Sequence, residues 1–373
     1  MNKVKLSDVM VRANTRVDKD HTDLIYYVGG EHFVSGEFKV EQRGHIAGST
    51  IGPMFYYGFK AGQFLLVSRN PHLKKAGVVD FDGICSEKTF VLQTADPSVL
   101  LAEYLPLVLQ NEDFWEYAVA HKHGSTNFFI NWETLANYEF YLPSIATQQK
   151  IAKTAWAAYR VKKAYETLLE SVDNLVKSQF IEMFDNRSAG KQRLKELFDL
   201  QMGKTPARAE KRLWMSGDHR WISIADMSTY GKYTGDTKEY LSDLAVKETG
   251  IKIVPKDTVI MSFKLSVGRT AITSEDIYTN EAIMAFIPKT NHFDLDYLRY
   301  ALHFYDWTEG LQNAIKGVTL NKAIIGDAEF SVPPIALQKD FAAFVEQSDK
   351  SKFELQQSIQ RVDNLIKSLI SQG

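Results

Sequence analysis

Several short runs of residues in this sequence resemble motifs that perform chemistry, but each type of chemistry requires its own spacing. Gly203, Lys204 and Thr205 form a GKT triplet, but a phosphate-binding P-loop needs a further glycine where this chain has Phe198. Neither GxGxxG, HExxH nor GxSxG occurs. VPPI at 332 and NPHL at 70 do not match the Asn/Asp-Pro-Pro-aromatic box of amino methyltransferases. The sequence therefore predicts no intrinsic catalysis.

Metal and thiol chemistry are also disfavoured. The chain has one cysteine, Cys85, so it cannot form an internal disulfide or a cysteine-rich zinc site. Cys85 lies between Ile84 and Ser86 in a strand-like run, where a lone cysteine is more often packed than nucleophilic. The nine histidines show no HxxxH spacing. We expect no metal and no cofactor in this chain.

The remaining candidate chemistry is binding through hydrogen-bond donors on loops. Between Arg187 and Arg220 there are nine Lys or Arg residues against four acids, whereas the whole chain has a net charge of −2. Such a run can be a solvated face, but cations on loops can also contact phosphates and base edges. The predicted DNA-binding residues of this second group are Lys204, Thr205, Arg208, Lys211, Lys264 and Arg269.

A first group of donors precedes it in the chain. It lies in SRNPHLKKAG and KHGST, two segments with the Gly, Pro and Ser of loops. Its predicted DNA-binding residues are Arg69, His72, Lys74, Lys75, Lys122, Ser125 and Thr126. For single cations in both groups, we expect contacts to phosphates more often than to bases.

Two long helices are predicted to position these loops. Residues 146–184 and 335–370 lack Gly and Pro and carry apolar residues at helical spacing. At about 1.5 Å per residue, each helix would span roughly 57 Å. We expect an antiparallel pair, in which the following residues are buried against each other or against a partner: Leu168, Val172, Leu175, Val176, Ile359, Val362, Leu365 and Ile366.

The two helices carry an internal repeat. VDNLVKS at 172 and VDNLIKS at 362 are 190 positions apart, as are LPSIATQQK at 142 and VPPIALQKD at 332. Weaker echoes link the segments before the helices, such as Glu87 with Glu281. A fixed offset in the helices and a drifting offset elsewhere indicate a duplication with diverged loops.

The segments before the helices are predicted to be strand-rich. QFLLVS, KTFVLQ, TVIMSF and AIMAFIP are short β-favouring runs between turn residues. The fold class is therefore α+β, with two strand-rich α/β modules separated by two antiparallel helices that form a coiled-coil-like spacer with pseudo-twofold repeat. The predicted boundaries are 1–143 for the first module, 144–186 for the first helix, 187–331 for the second module and 332–373 for the second helix. Duplex DNA, whose groove face recurs every ~10 base pairs, suits such a twofold body.

Composition is compatible with a two-module globular chain. The 373 residues are 45% hydrophobic and 24% charged, which is typical of proteins that bury ordinary cores. No apolar run approaches the ~18 residues of a membrane span, and the first ten residues lack a secretory signal. We expect a cytoplasmic protein that does not enter a membrane.

The second module resembles a known family. MGKTPARAEKRLWMSGDHRWISIADM, with Gly203, Thr205, Pro206, Trp214 and Trp221, resembles the opening of a target recognition domain in specificity subunits of type I restriction-modification systems. IVPKDTVIMSFKLSVGRTAIT and TNEAIMAFIP resemble the middle of that domain, and PxxxQ before a long helix resembles the family's spacer. The first module lacks the GxTP and Trp pattern and resembles another subtype.

The resemblance implies a non-catalytic subunit that reads a bipartite site in double-stranded DNA, one half per module. It also implies two methyltransferase partners that use S-adenosylmethionine, and ATP- and Mg-dependent restriction subunits recruited through them. The repeated heptapeptides would then give two equivalent docking surfaces. An alternative is an adaptor that clamps two protein-binding modules without DNA.

Overall fold

In a computed structural model, the chain is described over residues 2–184, 190–214, 217, 219–264, 266–290, 292–307 and 320–371. These residues form two compact units, each of which contains one module and one part of each long helix. Unit 1 comprises Met1–Leu168 and Leu355–Gly373, and unit 2 comprises Leu169–Glu354. The division between the units therefore falls within both long helices, whereas the predicted domain boundaries lie near the helix ends. The predicted boundary at 186/187, Arg187 and Asp218 lie outside the described residues.

The first part of the chain has ten strands and five α-helices among its described residues. The strands are β1 (Asn2–Lys5), β2 (Met10–Ala13), β3 (Tyr26–Val28), β4 (Gly44–His45), β5 (Phe55–Phe59), β6 (Phe64–Val67), β7 (Ala76–Val78), β8 (Gly83–Ser86), β9 (Thr89–Thr94) and β10 (Glu139–Leu142). The helices are α1 (Leu6–Val9), α2 (Leu105–Leu109), α3 (Glu112–Ala120), α4 (Trp132–Ala136) and α5 (Ile145–Phe184).

The second part adds nine strands and six α-helices over the residues described there. The strands are β11 (Lys191–Arg193), β12 (Phe198–Met202), β13 (His219–Ile222), β14 (Glu239–Leu241), β15 (Val259–Ser262), β16 (Thr270–Ile272), β17 (Tyr278–Thr279), β18 (Ile283–Pro288) and β19 (Glu329–Ser331). The helices are α6 (Leu194–Leu197), α7 (Ile224–Met227), α8 (Asp243–Thr249), α9 (Leu295–Phe304), α10 (Lys322–Asp327) and α11 (Ile335–Ser371).

The same sheet plan occurs in both units. Each has a four-stranded sheet, with the order β2-β9-β6-β7 in unit 1 and β12-β18-β15-β16 in unit 2. A second sheet contains one parallel pair, β3 with β8 or β13 with β17. A two-stranded antiparallel ladder, β1 with β10 or β11 with β19, precedes each long helix. The predicted strands are confirmed as β6, β9, β15 and β18, whose near-continuous runs of buried, mainly apolar residues suit the interior of a sheet.

Each core joins the sheet to the part of the helices within its unit. In unit 1, Ile151, Ala155 and Tyr159 of α5 share one apolar cluster with Ile366 of α11. In unit 2, Val176 and Phe184 of α5 share a cluster with Phe341 and Val345 of α11. Asp173 pairs with Lys352, while Phe180 packs on Phe341, so the two helix segments of unit 2 run antiparallel. The predicted α+β fold with strand-rich modules and long helices is confirmed.

A buried glutamine fixes the start of each long helix. Gln148 Nε2 donates to the carbonyls of Val99 and Pro143, both at 2.9 Å, and its Oε1 accepts from the Leu101 amide at 3.0 Å. Gln338, 190 positions later, repeats this arrangement with His292, Pro333 and Asp294. Both side chains are fully buried. The spacing PxxxxQ, from Pro143 to Gln148 and from Pro333 to Gln338, therefore ties a loop of each module to the N-terminus of its helix.

Candidate nucleic-acid interface

The structure brings the predicted loops of the first module together. The Asn70 amide donates to the Phe128 carbonyl at 2.8 Å, and Arg69 forms a β-bridge with Phe129. His123 and Phe129 exchange backbone hydrogen bonds of 2.7 and 3.0 Å, which close the second loop into a small hairpin. All seven donors predicted from this module thus lie on two adjoining loops.

A groove of about 410 Å³ lies beside these loops. It is lined by the cations Arg69, Lys75 and Lys88, the acid Glu87 and apolar side chains that include Met54. A hydrogen bond from Lys88 and the nearby positive charges lower the pKa of Glu87. The groove therefore combines net positive charge with an ionised acceptor, a combination suited to a polyanion that also carries amino groups.

Three of the seven first-module donors already interact with their own chain. Lys74 Nζ lies 2.5 Å from a carboxylate oxygen of Glu112, and Lys75 Nζ donates to the Gly30 carbonyl at 2.5 Å. Lys122 Nζ lies 4.2 Å from the ring centroid of Phe128. In the described part of the chain, the other four have no side-chain hydrogen bond, and all are exposed: Arg69, His72, Ser125 and Thr126.

The GKTP loop of the second module is held by the end of β17 and by the segment that follows it. A Cβ on Gly203 would stand 1.9 Å from the Thr279 carbonyl oxygen, so only glycine fits. The Lys204 amide donates to the same carbonyl at 3.0 Å, and the Thr205 hydroxyl donates to the Glu281 carboxylate. Trp221 Nε1 donates to the Lys204 carbonyl at 2.9 Å.

Arg208 also helps to hold the GKTP loop in place. Its guanidinium forms a two-point ion pair with Glu239 and lies 4.2 Å from the ring centroid of Trp214 and 4.8 Å from that of Trp221. The residues that define the sequence signature therefore shape the loop through intramolecular bonds. Direct contact of Lys204, Thr205 and Arg208 with DNA stays a prediction, but their donors already have partners within the chain.

Lys264 and Arg269 lie on a turn between β15 and β16. The Ser262 amide donates to the Arg269 carbonyl at 2.9 Å, and Arg269 Nη1 donates to the Ser228 carbonyl at 3.2 Å. Both side chains are exposed, as is Lys211. Partial burial raises the pKa of Glu281, but the Thr205 hydrogen bond and the charges of Lys264 and Arg208 outweigh it and lower the pKa. The Glu281 carboxylate therefore binds the GKTP loop directly and is influenced electrostatically by the turn.

The acids that organise these cations were missed as site residues from the sequence. Glu87 and Glu281 were recognised only as an echo of the duplication, although nearby cations lower the pKa of each carboxyl group. The repeated glutamate spacing was the signal that could have identified them. Glu239, which binds Arg208, has no such signal because the two residues are 31 positions apart.

The predicted helix surface divides into buried and exposed residues. Val176 and Ile366 are buried, and Val172, Ile359 and Val362 are partly buried. By contrast, Leu168, Leu175 and Leu365 are 50%, 53% and 46% exposed. The prediction that Leu175 and Leu365 are buried against each other is wrong, because the apolar stripe is wider than the surface its neighbours cover. Their burial by a partner stays a prediction.

An ion pair is repeated along with the heptapeptides. Lys162 Nζ lies 3.0 Å from Asp363 in unit 1, and Lys352 Nζ lies 2.5 Å from Asp173 in unit 2. Both members of each pair have a counterpart 190 positions away. In unit 1 the same ammonium also contacts Glu37, at 3.1 Å. The aspartates of the two VDN triplets thus join α5 to α11, while the leucines that follow them are exposed.

The described residues were predicted to have no metal site, and they also bear on thiol chemistry and membrane insertion. The described residues contain no group of three or more His, Cys, Asp or Glu side chains arranged to hold a metal. Cys85 is buried, and burial raises the pKa of its thiol to about 12. No described helix is both long and apolar enough to cross a bilayer.

Comparison with known proteins relates the chain to DNA specificity proteins. Residues 189–362 match the family described as "Type I restriction modification DNA specificity domain". A stretch of 161 residues, 42% of this chain, is 26% identical to the type I restriction enzyme MjaIX specificity subunit of Methanocaldococcus jannaschii. Another of 110 residues, 29% of the chain, is 27% identical to the EcoprrI specificity subunit of Escherichia coli. These matches span 37% and 27% of the two relatives.

Solved structures share the fold over nearly the whole chain. A chain from a structure titled for complex assembly and conformational transition of the type I R-M system has a TM-score of 0.62 at 17% identity, covering 99% of this chain and 96% of that one. The type I restriction-modification S subunit from M. genitalium has a TM-score of 0.55 at 14% identity, covering 99% and 94%. The resemblance predicted from the GKTP and Trp signature is confirmed: residues 189–362 match the type I restriction-modification DNA specificity domain, and the chain is similar to specificity subunits of these systems.

Proposed function

We propose that this chain reads a bipartite sequence in double-stranded DNA, with one half-site per module, for a type I restriction-modification complex. The observation that carries the proposal is the contrast between scaffold and loops. The helix starts, ion pairs and exposed leucines repeat at an offset of 190, whereas the donor-bearing loops of the two modules differ. A repeated scaffold with different loops suits two different half-sites at a fixed spacing.

Each module supplies its own set of contacts in this proposal. In the first, Arg69, His72, Ser125 and Thr126 reach DNA from the two joined loops. In the second, Lys264, Arg269 and Lys211 do so, while the locked GKTP loop positions them. Cations that meet phosphates set the register, and a smaller number of donors and acceptors read base edges.

The exposed heptapeptide surface docks two methyltransferase subunits. Leu175 and Leu365 are large apolar residues at equivalent positions on α5 and α11, so one partner type fits both. S-adenosylmethionine, ATP and Mg belong to the methyltransferases and to the restriction subunits that they recruit. The chain itself transfers no methyl group and cleaves no DNA, and it acts in the cytoplasm. The adaptor alternative shares the docking but lacks DNA binding.

An electrophoretic mobility shift assay distinguishes the two functions. The chain is expressed with a type I methyltransferase subunit and mixed with a library of random duplexes, from which bound DNA is sequenced. The proposal predicts enrichment of two short sequences at a constant gap, and the methyltransferase alone serves as the control. Retention of both proteins in one complex without any enriched sequence would favour the adaptor.

A further inference from the structure

Five lysines from separate segments of unit 2 converge on one groove. They come from α6, from the loops after β12 and α8, from the end of β18 and from α10. The groove has a volume of about 1080 Å³. Its lysines are Lys195, Lys204, Lys252, Lys289 and Lys322.

The charge of the groove is strongly positive. Asp199 and Asp327 are its only acidic lining residues within the described part of the chain, so five ammonium groups face two carboxylates. A concave surface lined mainly by one sign of charge concentrates the electrostatic field and attracts counter-ions. The net charge of the whole chain is −2, which makes this local excess a feature of the groove and not of the average surface.

Two of the five lysines have no side-chain partner within the described part of the chain. Lys195 Nζ lies 2.5 Å from Asp327, Lys289 Nζ donates to the Lys195 carbonyl at 2.8 Å, and Lys204 Nζ donates to the Thr249 carbonyl at 2.8 Å. Over the residues that the structure describes, Lys252 and Lys322 make no side-chain hydrogen bond or ion pair, and both are exposed. Their ammonium groups are therefore available to a ligand.

Protection of a sheet edge is the simpler explanation to consider. β12 is the edge strand of its sheet, and lysines on an edge strand discourage pairing with another chain. However, β12 itself, Phe198–Met202, contains no lysine. The five lysines reach the groove from outside that strand, so repulsion of a second strand does not account for their convergence.

We infer that this groove binds the phosphate backbone of DNA that continues beyond the second half-site. The inference rests on the proposed function. Lys204 belongs to both the GKTP loop and the groove, so DNA that reaches the loop can extend along the lysines. Lysine ammonium groups are flexible point charges that suit phosphates, whereas planar groups suit bidentate base reading. The groove thus adds affinity that does not depend on sequence.

The test compares charge-reversal variants in the complex with the methyltransferase. Lys252→Glu with Lys322→Glu is compared with Lys238→Glu with Lys256→Glu, which changes the same charge at exposed lysines of unit 2 outside the groove. The groove variant should lose about tenfold or more in affinity, equally for specific and unrelated duplexes. Its plot of log affinity against log salt should become about two units less steep, since two phosphate contacts are lost. Lys252→Arg with Lys322→Arg should keep the wild-type values.

Four outcomes would overturn the inference. They are unchanged affinity and salt slope in the groove variant, an equal effect of the control variant, a loss confined to the specific sequence, and loss of methyltransferase from the complex. The last would assign the groove to a protein partner. In each case wild-type selection of a bipartite site would leave the proposed function intact, whereas failure of the wild type to select any sequence would reject that function instead.

Discussion

Gln148 and Gln338 show how single residues hold the scaffold. Each makes three hydrogen bonds to backbone groups from a fully buried position. Such an amide satisfies one amide donor and two carbonyl acceptors that would otherwise be buried without partners. The motif fixes the point at which a module meets its helix, so its two copies preserve the same geometry at both helix starts.

Replacement of either glutamine should be costly. Gln148→Leu leaves three buried backbone groups unpaired and should lower the free energy of unfolding by about 3 kcal/mol, measured by urea denaturation. Gln149→Leu is the matched control because Gln149 is the exposed neighbour, and it should change stability by less than about 0.5 kcal/mol. Equal effects of the two substitutions would contradict the anchoring role.

The exposed cations of the turn between β15 and β16 can be tested by single substitutions. Lys264→Ala should weaken binding to all duplexes alike and reduce the salt slope by about one unit, because a phosphate contact carries no sequence information. The measurement is a titration of specific and scrambled duplexes at several salt concentrations. Lys350→Ala, on α11, is the control and should change neither quantity. A loss of ~1 to 3 kcal/mol on the specific duplex alone would instead make Lys264 a base contact.

At the scale of elements, a buried carboxylate joins the first module to the long helices. Glu37 is 8% exposed, and it accepts from the Tyr159 hydroxyl at 2.7 Å and from Lys162 Nζ at 3.1 Å. Burial raises the pKa of Glu37, but the Tyr159 hydrogen bond and the lysine charges outweigh it and lower the pKa below 4.5. Because Lys162 also pairs with Asp363, this cluster links the module, α5 and α11 within unit 1.

This link predicts a pH dependence. Since the folded-state pKa of Glu37 is depressed, its carboxylate stabilises the fold above the unfolded pKa of about 4.5, and that contribution is lost as pH falls through the folded pKa. Glu37→Gln should therefore be less stable than wild type at pH 7, and the difference should shrink below pH 4.5. Urea denaturation across pH 3 to 7 measures it. A difference that stays constant with pH would show that the charge of Glu37 is not responsible.

The exposed leucines of the heptapeptides predict how partners assemble. Leu175→Asp and Leu365→Asp each place a charge on a surface that we propose becomes buried by a methyltransferase, which disfavours docking. Each single variant should fold normally and bind one methyltransferase, and the double variant none, as measured by native mass spectrometry. Val161→Asp is the control, because Val161 is 43% exposed but its counterpart 190 positions later is Ser351. Two bound methyltransferases in the double variant would contradict the proposal.

At the scale of the molecule, the duplication separates sequence reading from spacing. Exchange of residues 185–330 for the equivalent module of a relative should change one half of the recognised site, and it should leave the other half and the gap intact. Insertion of helical turns into α5 or α11 should change the gap alone. Mapping of methylated adenines by sequencing checks both variants. A module exchange that altered both halves, or neither, would show that the modules do not act separately.

The sequence by itself determined the features that depend on local pattern. The absence of Gly and Pro and the helical spacing of apolar residues identified α5 and α11 to within a residue of their observed ends. Short β-branched and aromatic runs identified β6, β9, β15 and β18. The fixed offset of 190 between the two copies indicates the repeated plan from the sequence alone. Helix and strand periodicities are properties of neighbouring residues, so they can be read directly from the order of the chain.

Only the tertiary structure decided which side chains are available to a partner. Thr205 donates to Glu281 across 76 positions, and Arg208 binds Glu239 across 31, so donors that look free in the sequence are occupied. Leu175 belongs to the same helical stripe as Val176, yet it is exposed because the stripe is wider than the surface that covers it. The lysine groove draws on segments from Lys195 to Lys322. Pairing and burial depend on residues that are distant in the sequence, and folding alone brings them together.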